Sequence, residues 1–187
     1  SQTEYHRWEP MHFPEAPGLR PLTPRIEYTA GKNYFTNLYE FDGRLTAREP
    51  QPGEYTVSTY GELKDRNWHY GGVSYRLTHT LHDDSVEKTV TLHYRGATPE
   101  VRIVEPIIAH AGMTFTAEDT RTVRIAGGGK TLRLRLVEGT AQLIVGRDAA
   151  NYWSPYPALR AHPIEFILAA PASEALSQTV RFQLSVD

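Results

Sequence analysis

Residues Val73 to Tyr94 alternate apolar and polar side chains on both sides of Asp83 and Asp84, and this pattern constrains the fold more than any other feature of the chain. A turn centred on the two aspartates sets Leu81 opposite Val86, Leu77 opposite Val90 and Tyr75 opposite Leu92 on one face. The same register puts Thr80 against Glu87, Thr78 against Thr89, Arg76 against Thr91 and Ser74 against His93 on the other. One face is therefore apolar and one polar. That is the pattern of an antiparallel sheet with one side on a core and the other towards water or a partner.

The rest of the chain extends this reading. Strand-like runs occur at Arg25 to Thr29, Tyr34 to Phe41, Tyr55 to Tyr60, Val101 to Ile108 and Thr122 to Ile125. They continue at Thr131 to Val137, Ala141 to Val145, Pro163 to Ala169 and Thr179 to Val186. Leu132, Leu134 and Leu136 alternate with Arg133 and Arg135. Asp42-Gly43 and Gly127 to Gly129 are placed to supply positive-φ turn positions. No helical periodicity runs beyond about two turns, although Ala172 to Leu176 can form one short turn. The expected fold is an all-β antiparallel sandwich of about ten short strands, occupying residues 25–187 as a single domain. Residues 1–24 precede it as an extended arm. Its prolines at 10, 14, 17, 21 and 24 exclude a helix or central strand, and Tyr5, Trp8, Met11 and Phe13 are the anchors with which it would dock on a partner.

Composition excludes several classes of function. The 20 basic and 22 acidic residues give a net charge of -2, so there is no overall field to attract nucleic acid. No apolar stretch approaches the roughly 20 residues of a membrane helix. Association with a membrane complex stays open. Cysteine is absent, which removes disulfides, thiol catalysis and zinc-cysteine sites. A chain that starts at Ser1, without a charged-then-apolar leader, has either lost a signal peptide or been cut at an artificial boundary; the first reading makes it periplasmic or extracellular.

Two clusters carry the side chains a ligand would need. In Asp65-Arg66-Asn67-Trp68-His69-Tyr70-Gly71-Gly72, the flat indole and its polar neighbours suit a sugar ring or a peptide, with Arg66, Trp68, His69 and Tyr70 as contacts. The alternative is that Trp68 and Tyr70 cap one end of the core while the glycines bend the chain. In the second cluster, prolines stiffen the connection bearing Tyr152, Trp153 and Tyr156, which either present a binding surface or close over the sandwich edge.

Catalytic and metal chemistry find less support. His79 and His82 point to opposite faces of the hairpin and cannot readily share an ion; no metal or other cofactor is implied. Ser74 faces His93 but has no acid placed to orient the histidine. Glu105 and Glu165 interrupt apolar runs, where each is either outward-facing by alternation or partnered by arginine rather than catalytic.

From Tyr75 through Val137, the alternating run Glu87-Lys88-Thr89-Val90-Thr91-Leu92 leading into Val101-Arg102-Ile103-Val104-Glu105-Pro106 resembles the large β-sandwich domains attached to bacterial carbohydrate-active enzymes. The resemblance implies a sugar-facing scaffold and carries over no catalytic residue. Two functions follow. The first is a non-enzymatic binding or assembly subunit of a larger extracytoplasmic complex, docked through its arm on a protein partner or a second copy. The second is a domain that binds or cleaves carbohydrate through its Trp and Tyr clusters.

Overall fold

The computed structural model describes residues 20–96, 99–152, 158–172 and 176–186. The hairpin forms in the predicted register: β5 (Tyr70–Leu81) pairs with β6 (Ser85–Tyr94), with Leu81, Leu77 and Tyr75 opposite Val86, Val90 and Leu92. Around it lie β1 (Arg25–Ala30), β2 (Asn33–Thr36), β3 (Arg44–Gln51) and β4 (Glu54–Lys64), then β7 (Val101–His110) and β8 (Thr114–Ala117). The remainder are β9 (Thr122–Gly127), β10 (Lys130–Glu138), β11 (Gln142–Val145), β12 (Leu159–Leu168) and β13 (Ser177–Val186). Among the described residues there is no α-helix, only two short 3-10 turns.

All thirteen strands belong to one antiparallel sheet, ordered β11-β12-β7-β1-β2-β4-β5-β6-β13-β10-β9-β8, with β3 also on β4. The sheet folds back at β2–β4, where a single register pair, Thr36 with Lys64, joins the two halves. The halves face one another across a common core: Phe166 of β12 stacks on Phe182 of β13 at 4.6 Å, and Ile103, Leu92, Val90 and Leu134 are buried with them. Near the sheet's two ends, Phe115 of the terminal strand β8 stacks on His162 of β12, next to the other terminal strand β11, at 3.9 Å. The two layers of the expected sandwich are thus halves of one nearly closed sheet.

Differences from the sequence expectation have local causes. β3 carries no apolar alternation because all eight of its residues are exposed, and periodicity cannot detect a strand with no buried face. The run from Tyr34 breaks into β2 and a 3-10 turn at Asn37–Tyr39, whose first residues are capped by the Thr36 hydroxyl accepting from the Leu38 N–H at 3.3 Å. Phe41 consequently sits in a loop. Gly128 and Gly129 take positive φ in the β9–β10 turn as expected; Gly127 and Gly43 do not, and at Gly43 the lack of a side chain instead serves close approach to the Tyr60 carbonyl. The turn expected around Ala172 to Leu176 falls mostly outside the described residues.

The outer face of β1, β7 and β12 is covered rather than solvated. Arg20 bridges to Tyr152 and pairs with Asp148 at 2.8 Å, and Leu22 packs with Tyr152 and Ala161. Beneath this strap, Glu27 accepts from Arg25 at 2.5 Å and from the Tyr34 hydroxyl at 2.6 Å, with Arg102 at 3.2 Å. Burial pushes the Glu27 carboxyl up, but Arg25, Tyr34 and Arg102 together outweigh it and hold it below the usual glutamate range.

Candidate functional site

The five residues joining β4 to β5 form a loop closed by its own hydrogen bonds. The Asp65 N–H donates to the His69 carbonyl at 3.0 Å, and the Trp68 N–H to the Asp65 carbonyl at 2.9 Å. The Asp65 carboxylate accepts from the backbone N–H groups of Asn67 at 2.8 Å and His69 at 2.9 Å, and its second oxygen lies 3.2 Å from His69 Nδ1. Desolvation pushes this carboxyl up, but the two N–H groups and the imidazole outweigh it and hold it below the usual aspartate range. With a depressed folded value, the loop's stabilisation by Asp65 is present above the ordinary aspartate range and is lost as pH falls through the folded one.

This bonding holds Trp68 at φ +66, a left-handed conformation that disfavours a bulky side chain by about 1–2 kcal/mol. Such strain persists where surrounding structure over-determines it. Its effect here is to turn the indole outward, 65% exposed. The expectation that Trp68 caps the core is therefore wrong. Phe41 meets its ring edge to face, with centroids 6.0 Å apart, and is itself largely exposed. Arg66, Asn67 and His69, its neighbours in the loop, are likewise exposed to solvent. Tyr70 begins β5 at the edge of the patch; burial raises its hydroxyl, Glu62 adds to the effect, and Arg95 and Ser74 oppose it. Gly71 follows because a side chain there would strike Tyr28 and Phe35, whose rings stack at 4.9 Å, and the Tyr28 hydroxyl donates to the Gly71 carbonyl.

The loop thus presents an outward aromatic ring, with a guanidinium, an amide and an imidazole exposed on the same five residues. A plane of this kind takes the C–H face of a sugar ring while the polar groups meet its hydroxyls or acidic substituents. Being held in advance, it loses little conformational freedom on binding. Phe41 is the member that the sequence reading missed, since it was placed at the end of a strand.

The other candidates are placed differently. Tyr152 is buried beside Arg25, whose guanidinium lies 5.9 Å from its ring centre; it belongs to the strap, away from the exposed patch. Trp153 and Tyr156, like Tyr5, Trp8, Met11 and Phe13 of the arm, lie outside the described residues. Ser74 pairs with His93 across the strands as expected, and Glu62 falls beside Ser74 on its far side, where it cannot orient the histidine. Glu165 is buried on the outer face with Arg147 at 3.4 Å and Arg102 at 4.0 Å, one of the two placements expected for it. Glu105 departs from both: it points inward and pairs with Lys88 at 2.6 Å in an inter-layer cleft of about 220 Å³ that His79 also lines. Burial raises the Glu105 carboxyl, and Lys88 only partly offsets it.

Comparison with known proteins bears on this geometry. The family model of the ulvan lyase C-terminal domain matches residues 1–183. The chain belongs to the ulvan lyase C-terminal domain family. Among solved structures, this ulvan lyase C-terminal domain is similar to a mutant of the heparan sulfate lyase HepC from Pedobacter heparinus, with a TM-score of 0.57 and 9% identity over 77% of this chain and 21% of that one. It is also similar to a heparinase III gene product with methylated lysines, with a TM-score of 0.52 and 10% identity over 78% and 21%. The chain spans about a fifth of the length of either structure, and at these identities the likeness is one of fold. No curated protein sequence matches the chain. The family supports the carbohydrate-related expectation over the assembly-subunit one. Among the described residues, no helix is long and apolar enough to cross a membrane.

Proposed function

We propose that the chain is a carbohydrate-facing β-domain of a polysaccharide lyase, and that the Trp68 loop is its saccharide contact. The observation that carries this reading is the outward Trp68 indole, held in a left-handed backbone by the Asp65 hydrogen bonds and flanked by Phe41. Membership of a lyase domain family, and a fold shared with lyases of heparan sulfate, support a polysaccharide as the ligand. In this reading Trp68 stacks on the sugar, Arg66 and His69 bind acidic or hydroxyl substituents, and Tyr70 borders the site. The domain is assigned binding and positioning, with bond cleavage left to other parts of a lyase. An extracytoplasmic location fits a polymeric substrate.

The test is retention of the chain on immobilised ulvan and heparan sulfate, compared with Trp68→Ala. Loss of the indole is expected to weaken binding by roughly 1–3 kcal/mol, the range for one large apolar side chain, with circular dichroism unchanged. Equal retention of the two proteins removes the Trp68 loop from the function.

A further inference from the structure

Although the chain carries a net charge of -2, its charges are unevenly distributed. On the outer face of the β3–β4–β5 region the register sets Arg44 beside Tyr60 and Tyr60 beside Arg76, forming one row across three strands. Arg48 lies on the same face of β3, opposite Thr56. The row beside it consists of Thr46, Ser58 and Thr78, with the Ser58 and Thr78 hydroxyls 2.9 Å apart. Among the described residues Arg44, Arg48 and Arg76 have no carboxylate within ion-pairing distance. By contrast, Arg181 on the same layer is held by Glu87 at 3.4 Å and Glu138 at 3.2 Å. Glu62 stands two residues along β4 from Tyr60, and Glu49 and Glu54 lie at the far hairpin turn, where the Glu49 carboxylate accepts from the Gly53 N–H.

Arg76 decides the matter. Its guanidinium lies over the Tyr60 ring at 5.2 Å, and its Nε is buried without a hydrogen-bond partner. The ring contact holds the guanidinium in place, and with no carboxylate beside it the charge and the unpartnered Nε stay open to an anionic ligand. The backbone of Arg44 sits two strand spacings from that of Arg76, roughly 9.5 Å, so the two arginines flank Tyr60 in one row. Only Asp42 and Gly43 separate Phe41, which meets Trp68, from β3.

We infer that the Arg44–Tyr60–Arg76 row, with Arg48, is an anion track that binds sulfate or carboxylate groups of a polyanionic polysaccharide whose sugar ring is stacked on Trp68. The inference rests on the carbohydrate reading and adds to it a second contact surface, on the β3–β4–β5 face. The arginines bind by ion pairing, with the Thr46, Ser58 and Thr78 hydroxyls as neighbouring hydrogen-bonding groups.

The experiment measures affinity of the chain for heparan sulfate and for the same polymer after chemical desulfation and carboxyl reduction, across a range of salt concentrations. Arg44→Gln and Arg48→Gln lie on a strand exposed at every residue, so they test the track even if Arg76→Gln disturbs folding. Each folded variant is expected to weaken binding about three- to tenfold and to lower the slope of log affinity against log salt by about one, as for one released counterion. Binding of the neutralised polymer should fall and lose its salt dependence. Trp68→Ala should weaken binding with the slope intact.

Wild-type affinity and slope in folded Arg44→Gln and Arg48→Gln overturn the track. If Trp68→Ala still weakens binding in that case, the carbohydrate reading stands without it. Equal binding of native and neutralised polymer also overturns the track alone. If the wild-type chain binds neither polymer, both proposals fall.

Discussion

Replacing Trp68 by glycine should yield a more stable protein than replacing it by alanine, the reverse of the usual order. With 65% of the residue exposed, about a third is buried. Full burial of a tryptophan removes roughly 150–250 Å² from water, so truncation forfeits about 50–90 Å², or about 1–2 kcal/mol at 25 cal/mol per Å². Both variants lose this. Alanine retains the left-handed strain of about 1–2 kcal/mol, whereas glycine relieves it at an entropic cost of about 0.4–1 kcal/mol in the unfolded chain. Glycine should therefore exceed alanine by about 0.5–1 kcal/mol, a difference of roughly 1–4 °C in Tm for a chain of this size, with Trp68→Asn between them. Urea and thermal unfolding of the three variants measure the order. If Trp68→Ala equals or exceeds Trp68→Gly, the φ of +66 carries no strain, and the argument that the Asp65 bonds hold the indole against a backbone preference fails.

Further outcomes follow from the core and the loop. Lys88→Met strands Glu105 between the layers and should destabilise the fold by about 3 kcal/mol, the low end for a broken buried pair because Lys88 is partly solvated. Since the folded Glu105 value is raised, its favourable contribution is present at acid pH and is lost as pH rises through that value. The Lys88→Met loss should accordingly be smaller at mildly acidic than at alkaline pH in urea titrations; a pH-independent loss contradicts the burial argument. Gly71→Ala drives a methyl group into Tyr28 and Phe35 and should cost about 1–3 kcal/mol, seen as a lower urea midpoint. Asp65→Asn should accelerate hydrogen exchange at the Asn67 and His69 amides and weaken polysaccharide binding while leaving core amides protected; unchanged exchange at both would show that the carboxylate does not hold the loop.

What could be read from the sequence followed the burial of alternate residues. The β5–β6 register was legible to the residue because Val73, Tyr75 and Leu77 pack in or against the core on one face of the strand and a one-residue slip would turn them to the other. β3 was not, because no residue in it faces a core. The Trp68 loop could be singled out by composition, but its outward direction depends on a positive φ at a tryptophan, which no propensity anticipates. Glu105 was misplaced because its partner, Lys88, reaches it across the inter-layer space, a contact that spacing along either strand does not encode. The Arg44–Tyr60–Arg76 row was equally hidden: Arg76 sat in the predicted register, but Arg44 belongs to the strand that alternation could not show.

The central claim is that a rigid, outward Trp68 makes this lyase-family domain a saccharide contact. Isothermal titration of the chain and of Trp68→Ala with heparan sulfate or ulvan oligosaccharides tests it most directly. The account predicts saturable binding by the wild type and an affinity about 5- to 150-fold lower for the folded variant, the equivalent of roughly 1–3 kcal/mol. Absence of wild-type binding, or identical isotherms for the two proteins, would contradict it.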